Sequence, residues 1–221
     1  MIATLETNYA QLEETRKAEE QARMDAVERE EETLYLLGRV SEFRDAETGE
    51  HLKRIGELSA RFARLLGWSE REQERIRKSA PLHDVGKVGI PDALLLKPGK
   101  LDPDEYEQMK RHAAEGYELL RTTHSEYLIE GARIARTHHE KWDGTGYPEG
   151  LAGEDIPLCG RIVGLLDVFD ALTSSRPYKE PWPPERALQV ILEQRGKHFD
   201  PHLVDLFESH FAEFRAIAEN H

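Results

Sequence analysis

From Leu34 onward, the apolar residues of this 221-residue chain recur at helical spacing in one segment after another, and almost nowhere do they alternate in the two-residue rhythm of a strand. That pattern predicts an all-α fold. Residues 34–46 and 50–66 read as two helices, the second carrying Leu52, Ile55, Leu58, Phe62, Leu65 and Leu66 and stopping at Gly67. Ser69 and Glu72 have the spacing of a capping box, which starts a third helix running towards His83. Asp102-Pro103 opens a helix to about Arg121, and 126–141 supports the next. Residues 142–157 are turn-rich. Two more helices are expected over 158–174 and 184–195, with a last one beginning at Pro201.

Residues 1–33 form a separate stretch, expected as an N-terminal helix ahead of a domain spanning 34–221. They hold ten acidic and four basic side chains, so six of the chain's 13 net negative charges lie there. Ile2, Leu5, Tyr9 and Leu12 begin a seam at three- and four-residue steps, but Arg16, Glu19 and Arg23 interrupt it. Ala18, Ala22, Ala26 and Val27 continue the seam only with a shift of register. Two readings stand: a coiled coil that dimerises or transmits a signal, and a solvated helix lying against the domain.

The same charge argues against a broad basic surface for duplex nucleic acid, while leaving room for a local cationic pocket. No apolar run approaches the roughly 18 residues of a membrane span. The opening residues lack the basic start and apolar middle of a secretory signal, so the expected location is the cytoplasm. Cys159, the lone cysteine, cannot form an internal disulfide and reads as a small packing residue.

Five of the ten histidines fall in a spaced set with acidic neighbours: Glu47 with His51, His83-Asp84, His112, His138-His139, and Asp167. The steps from His51 to His83, His112, His138 and Asp167 are 32, 29, 26 and 29 residues, each about one helix plus its connection. Successive helices would therefore bring these side chains to one centre. Imidazole with carboxylate suits Fe, Mn, Zn or a related divalent ion, and the absence of a cysteine cluster disfavours a structural zinc finger. So many donors exceed what one ion needs. Two or more adjacent ions would absorb them, with Asp84 able to bridge. His124, His198, His202, His210 and His221 receive no role.

His83-Asp84-Val85-Gly86-Lys87 together with Gly146-Tyr147-Pro148 resembles the HD-GYP family of metal-dependent HD phosphohydrolases. The likeness runs in order from Glu47 to Tyr178, through Glu47-Thr48-Gly49-Glu50-His51, His112, His138-His139-Glu140 and the segment from Asp167 to Thr173, and leaves residues before 34 uncovered. It implies an HD-type helical bundle preceded by the long N-terminal helix. It also implies hydrolysis of cyclic dinucleotides, chiefly the bacterial messenger cyclic di-GMP, to pGpG or onward to GMP. By position, the metal ligands would be His51, His83, Asp84, His112, His138, His139 and Asp167, with Glu47 available to a third ion. Two or three divalent ions are thus implied, iron or manganese being the family's usual metals. If Gly49 breaks the helix, a turn must carry Glu47 to the centre.

The expected chemistry is attack on phosphorus by a hydroxide bridging two ions. Lys87, four residues after His83 and three after Asp84, would project over the same site and serve the phosphate charge or the leaving oxygen. Arg176 and Lys179, with Tyr178 between them, are expected to clamp the substrate. Tyr147 would stack on a base, shape the entrance or meet a regulatory domain. Asp170 would support the ligands or simply make a hydrogen bond within its helix. Expected partners are cyclic di-GMP, a second copy through the N-terminal helix, and an upstream receiver or sensor domain. The alternatives are a non-catalytic nucleotide-sensing or partner-binding module and a hydrolase of another cyclic dinucleotide.

Overall fold

With no proline and no glycine before Gly38, nothing interrupts helix propagation across the early residues, and α1 (Ile2–Glu42) runs through residues 33 and 34 without a break. The computed structural model describes residues 2–42, 49–175 and 180–220, with side chains from residue 11. At 41 residues, α1 is about 60 Å long. Most side chains between residues 11 and 30 are exposed, whereas Leu34 is buried. The helix docks where Gly38 passes the domain: a Cβ there would lie 2.9 Å from the Pro81 carbonyl and 3.2 Å from Leu52.

Beyond α1 come α2 (Gly49–Leu65), α3 (Glu70–Ser79), a short α4 (Asp92–Leu95), α5 (Pro103–Leu120), α6 (Glu126–Thr137), α7 (Leu158–Thr173), α8 (Pro184–Glu193), α9 (Pro201–Ser209) and α10 (Phe211–Glu219). No strand occurs among the described residues; Arg195 and Phe199 form an isolated bridge. The expected caps are in place. Ser69 and Glu72 make the reciprocal capping box of α3, and Asp102 with Glu105 makes that of α5, with Pro103 in its first turn.

The structure departs from the sequence expectation at two helix ends. The helix expected over 126–141 stops at Thr137, which leaves His138 as the C-cap of α6 and frees the following residues for the long turn-rich segment. The helix expected from Pro201 is two helices, which meet at His210.

Helix α7 is the hub. Ile162, Val163, Leu165, Leu166 and Phe169 are all fully buried in a core that also takes in Leu58 and Phe62 of α2, Ile134 of α6, Ile191 of α8, Phe207 of α9 and Phe214 of α10. Burying each such side chain contributes roughly 1.5–3 kcal/mol. A smaller cluster of Leu34, Leu82, Val85, Leu120 and Ala132 joins α1 to α5, α6 and the 3₁₀ turns. Packing on several sides makes α7 a fixed platform for any polar residue it carries towards a site.

Candidate metal centre

The chain passes the same point five times. His51 lies in the first turn of α2, and His83-Asp84 follows the 3₁₀ turn Ala80–Leu82. His112 sits in α5, His138-His139 at the end of α6, and Asp167 in α7. Two groups of donor atoms result. Asp84, His112, His138 and His139 form one, and His51, His83 and Asp167 form the other; within each group, one ligand atom per residue lies within 4.8 Å of the rest. Seven of the eight donors named from the sequence are thereby gathered into these two groups.

Backbone carbonyls fix which ring nitrogen faces the centre. Nδ1 lies 2.9 Å from the Ala80 carbonyl in His83, 2.7 Å from that of Met109 in His112, and 3.0 Å from that of Ala135 in His138. A carbonyl only accepts, so Nδ1 carries the proton and donates, and the lone pair belongs to Nε2. Those three Nε2 atoms, and Asp84 Oδ1, are buried without a hydrogen-bond partner in the structure. Leaving four polar atoms so costs about 1–3 kcal/mol each unless something else satisfies them. Imidazole lone pairs and carboxylate oxygens aimed at a shared space are the donor set of a divalent transition metal, so the residues fit one.

Asp84 stands between the two groups. Its Oδ1 is 3.2 Å from His112 Nε2 and 3.6 Å from His138 Nε2, while Oδ2 is 3.4 Å from His83 Nε2. A carboxylate with one oxygen towards each group is placed to bridge, as the donor count suggested. Lys87 Nζ lies 2.7 Å from Oδ2. The turn that carries Lys87 can approach α5 closely because residue 86 is glycine: a Cβ at Gly86 would collide with the His112 carbonyl.

The charges of the centre are unevenly held. Burial alone would lower the His83 pKa, but Asp84, Asp167 and Glu42 outweigh it and hold the imidazole up at about 10. Burial likewise pushes the Asp84 carboxyl up, yet Lys87 and the histidines hold it well below the usual carboxylate range. In the other direction, burial brings His112 down to about 4 despite Asp84, and burial with His138 takes His139 well below its ordinary value. The carboxylates attract positive charge while His112 and His139 resist protonation. A bound cation answers both.

Around the ligands lies a supporting layer. Asp170 Oδ2 is 2.6 Å from His51 Nδ1, and Arg54 grips the same carboxylate with Nε to Oδ1 at 2.6 Å and Nη2 to Oδ2 at 3.0 Å. Burial opposes the charge on Asp170, but the bonds from His51 and Arg54 hold its carboxyl down at about 2. Asp170 thus holds His51, and it also accepts from the Ser174 hydroxyl at 3.2 Å at the end of its own helix. Glu140 accepts from the backbone N–H groups of Glu149 at 2.7 Å and Leu151 at 3.0 Å, tying the Gly146-Tyr147-Pro148 segment to the end of α6. Tyr147 lies over His139 with ring centroids 4.7 Å apart, and burial raises its hydroxyl pKa.

Glu47 and the clamp of Arg176, Tyr178 and Lys179 lie outside the described residues. Two residues that sequence reasoning gave no role belong to the neighbourhood. Arg54 could have been found, since it sits three residues after His51 and shares its helix face. Glu42 gave no such signal: it is nine residues before His51 on another helix, yet its Oε1 is 3.6 Å from His51 Nε2. Cys159 is buried, and burial first pushes its thiol up to about 12, in keeping with a packing role.

A family model described as HD domain matches residues 36–203. The chain belongs to the HD-domain family. Its Gly146-Tyr147-Pro148 after His138-His139 makes it a member of the HD-GYP type. It is 53% identical over 178 residues to the cyclic di-GMP phosphodiesterase response regulator RpfG of Xanthomonas campestris pv. campestris, a match covering 80% of this chain and 47% of that protein. It is 46% identical over 194 residues to the 3'3'-cGAMP-specific phosphodiesterase 2 of Vibrio cholerae, covering 88% of this chain and 37% of that one. The chain thus spans about half or less of these relatives' length. Among solved structures, a cyclic GMP-AMP-specific phosphodiesterase of V. cholerae superposes with a TM-score of 0.63 at 22% identity, over 84% of this chain and 50% of that one, which establishes the shared HD fold.

Proposed function

We propose that this chain is a metal-dependent phosphodiesterase that hydrolyses cyclic di-GMP to pGpG, GMP or both. The observation that carries the reading is the convergence of seven His and Asp donors from distant elements, with the Nε2 atoms of His83, His112 and His138 buried and unsatisfied at its focus. The residues that would hold two divalent ions are His51, His83 and Asp167 on one side and His112, His138 and His139 on the other, with Asp84 between. Glu47 is assigned to a third ion, and iron or manganese suits the donor set better than magnesium. When bound, the ions supply positive charge for the phosphate and a water acidified towards a pKa of about 7.

The chain's own residues do the rest. Asp170 and the backbone carbonyls orient the imidazoles before substrate arrives. Lys87, beside Asp84, would place its ammonium against the phosphate oxygens or the leaving oxygen, where negative charge grows during cleavage. Arg176 and Lys179 would fork onto a phosphate or a guanine edge, with Tyr178 beside them. Glu140 would hold the Tyr147 segment at the entrance.

One observation favours a second reading of the substrate. A relative named as a 3'3'-cGAMP-specific phosphodiesterase matches 88% of this chain at 46% identity, within the range of those named for cyclic di-GMP. Incubating manganese- or iron-loaded protein with each cyclic dinucleotide and separating the products decides between them, with metals counted by elemental analysis. Preferential turnover of cyclic di-GMP supports the first reading, and preference for 3'3'-cGAMP the second. Metal-loaded protein that binds either nucleotide without cleaving it would establish a sensing module instead.

The exposed length of α1 is assigned to pairing with a second copy and to receiving input from a receiver or sensor domain. Sedimentation with and without residues 1–33 tests the pairing, and a monomer in both cases removes it. No helix among the described residues is long and apolar enough to cross a membrane, and the cytoplasm is the proposed place of action.

A further inference from the structure

Helix α1 ends at Glu42, and Glu42 is 2% exposed although it closes a helix whose earlier residues face solvent. Its Oε1 stands 3.6 Å from His51 Nε2, too far for a good hydrogen bond and close enough for two donors to share an ion. His51 cannot readily turn that nitrogen elsewhere, because Asp170 holds Nδ1 at 2.6 Å. Asp167 Oδ1 approaches the same space, 3.9 Å from His51 Nε2 and 3.8 Å from His83 Nε2. His83 Nε2 points into it as well, on a side chain with no exposure and with no hydrogen bond to that nitrogen.

From this geometry we propose that Glu42 is a further carboxylate ligand of the metal centre, serving the ion on the His51, His83 and Asp167 side. The proposal deepens the metal-dependent reading given above and rests on it. Charge supports it: beside two neutral imidazoles, Asp167 and a share of the bridging Asp84 offer a divalent ion less than two full negative charges, and Glu42 makes up the difference for a buried cation. With Glu42 and Asp167 added to the shared Asp84, this side carries more carboxylate and less imidazole than the other, a harder set better suited to Mn²⁺ or Fe²⁺. The two sides of the centre would then differ in affinity for the same metal.

A structural consequence sets this apart from a carboxylate that merely pairs with a histidine. A ligand on the last turn of α1 ties that helix to α2, α7 and the His83 turn, so loading the centre would order the end of α1.

The test uses the full 221-residue chain and its Glu42→Gln and Glu42→Asp variants, stripped of metal and titrated with Mn²⁺. Bound manganese is counted by elemental analysis, and amide hydrogen exchange is followed over residues 34–42. The expected result is that the wild type gains protection there on loading, while Glu42→Gln binds one Mn²⁺ at least tenfold more weakly and gains none. Glu42→Asp, which keeps the charge on a shorter arm, should lie between them and serves if the Gln variant does not fold. Variants with wild-type stoichiometry, affinity and protection would overturn the assignment of Glu42 alone. A wild type that binds no Mn²⁺ would overturn both this assignment and the metal-dependent reading.

Discussion

Asp84 and Lys87 face each other across 2.7 Å, and their roles separate under mutation. Asp84→Ala removes a carboxylate that faces both donor groups, so metal and turnover should be lost together. Lys87→Ala removes the ammonium beside Asp84 Oδ2 but no metal-donor atom, so it should leave the metal count unchanged while slowing hydrolysis by roughly 10²- to 10³-fold, the size of effect seen when one transition-state charge partner goes. Elemental analysis beside single-turnover kinetics checks both, and the reverse pattern would exchange the roles. His198 gives a test away from the centre. Burial, aided by Lys141, lowers its pKa from 6.5 to about 4. The unfolded chain therefore takes up this proton first as pH falls, so the contribution is complete above about 6.5 and lost progressively towards 4. Urea unfolding of His198→Gln at several pH values should show a flatter stability profile across that window than the wild type.

Among the elements, α7 carries core and chemistry on one helix. Phe169, fully buried against Phe207 with centroids 5.1 Å apart, lies between Asp167 and Asp170 in sequence. Phe169→Ala should cost about 3–5 kcal/mol in unfolding free energy, and turnover should fall with it because the cavity loosens the platform beneath the ligand. Leu36→Ala, at a position 58% exposed on α1, should change stability by less than about 0.5 kcal/mol. Equal losses at the two positions in urea titrations would contradict the view of α7 as hub. Helix α1 is held differently. Leu34 is buried, while Glu31, half in solvent, pairs with Arg77 at 2.6 Å and with Lys78 at 3.6 Å. The pair with Arg77 is partly exposed and contributes little, whereas Lys78 is buried, so the docking of α1 depends on Leu34, the close pass at Gly38 and the charge Glu31 sets beside Lys78.

For the whole molecule, metal and fold are linked. Ligands drawn from elements 26 to 32 residues apart in sequence exist as a set only in the folded chain, so an ion bound there stabilises the native state by about 2.7 kcal/mol at a hundredfold excess over its Kd. Chelation should lower the melting temperature and abolish hydrolysis together, and Mn²⁺ or Fe²⁺ should restore both better than Mg²⁺, which favours an all-oxygen shell over imidazole. Calorimetry and product assays on the same stripped sample test this. Full activity without metal would refute the mechanism.

The sequence was sufficient for the helical class, the caps at Ser69 and Asp102, and the seven donors, because each depends on local rules or on side-chain chemistry that spacing displays. Periodicity marks a buried face, a capping box lies within four residues, and His and Asp at steps of one helix and its connection can be read as a series. Helix ends were less legible: whether α6 stops before or after His138, or one helix or two follows Pro201, depends on packing as well as propensity. Only the tertiary structure decided that Asp84 faces both groups, that Asp170 and Arg54 hold His51, and that Glu42 reaches the centre from the far end of α1. Those facts depend on how separate helices pack in space, and a linear pattern carries no record of a contact between a residue in one helix and a ring in another.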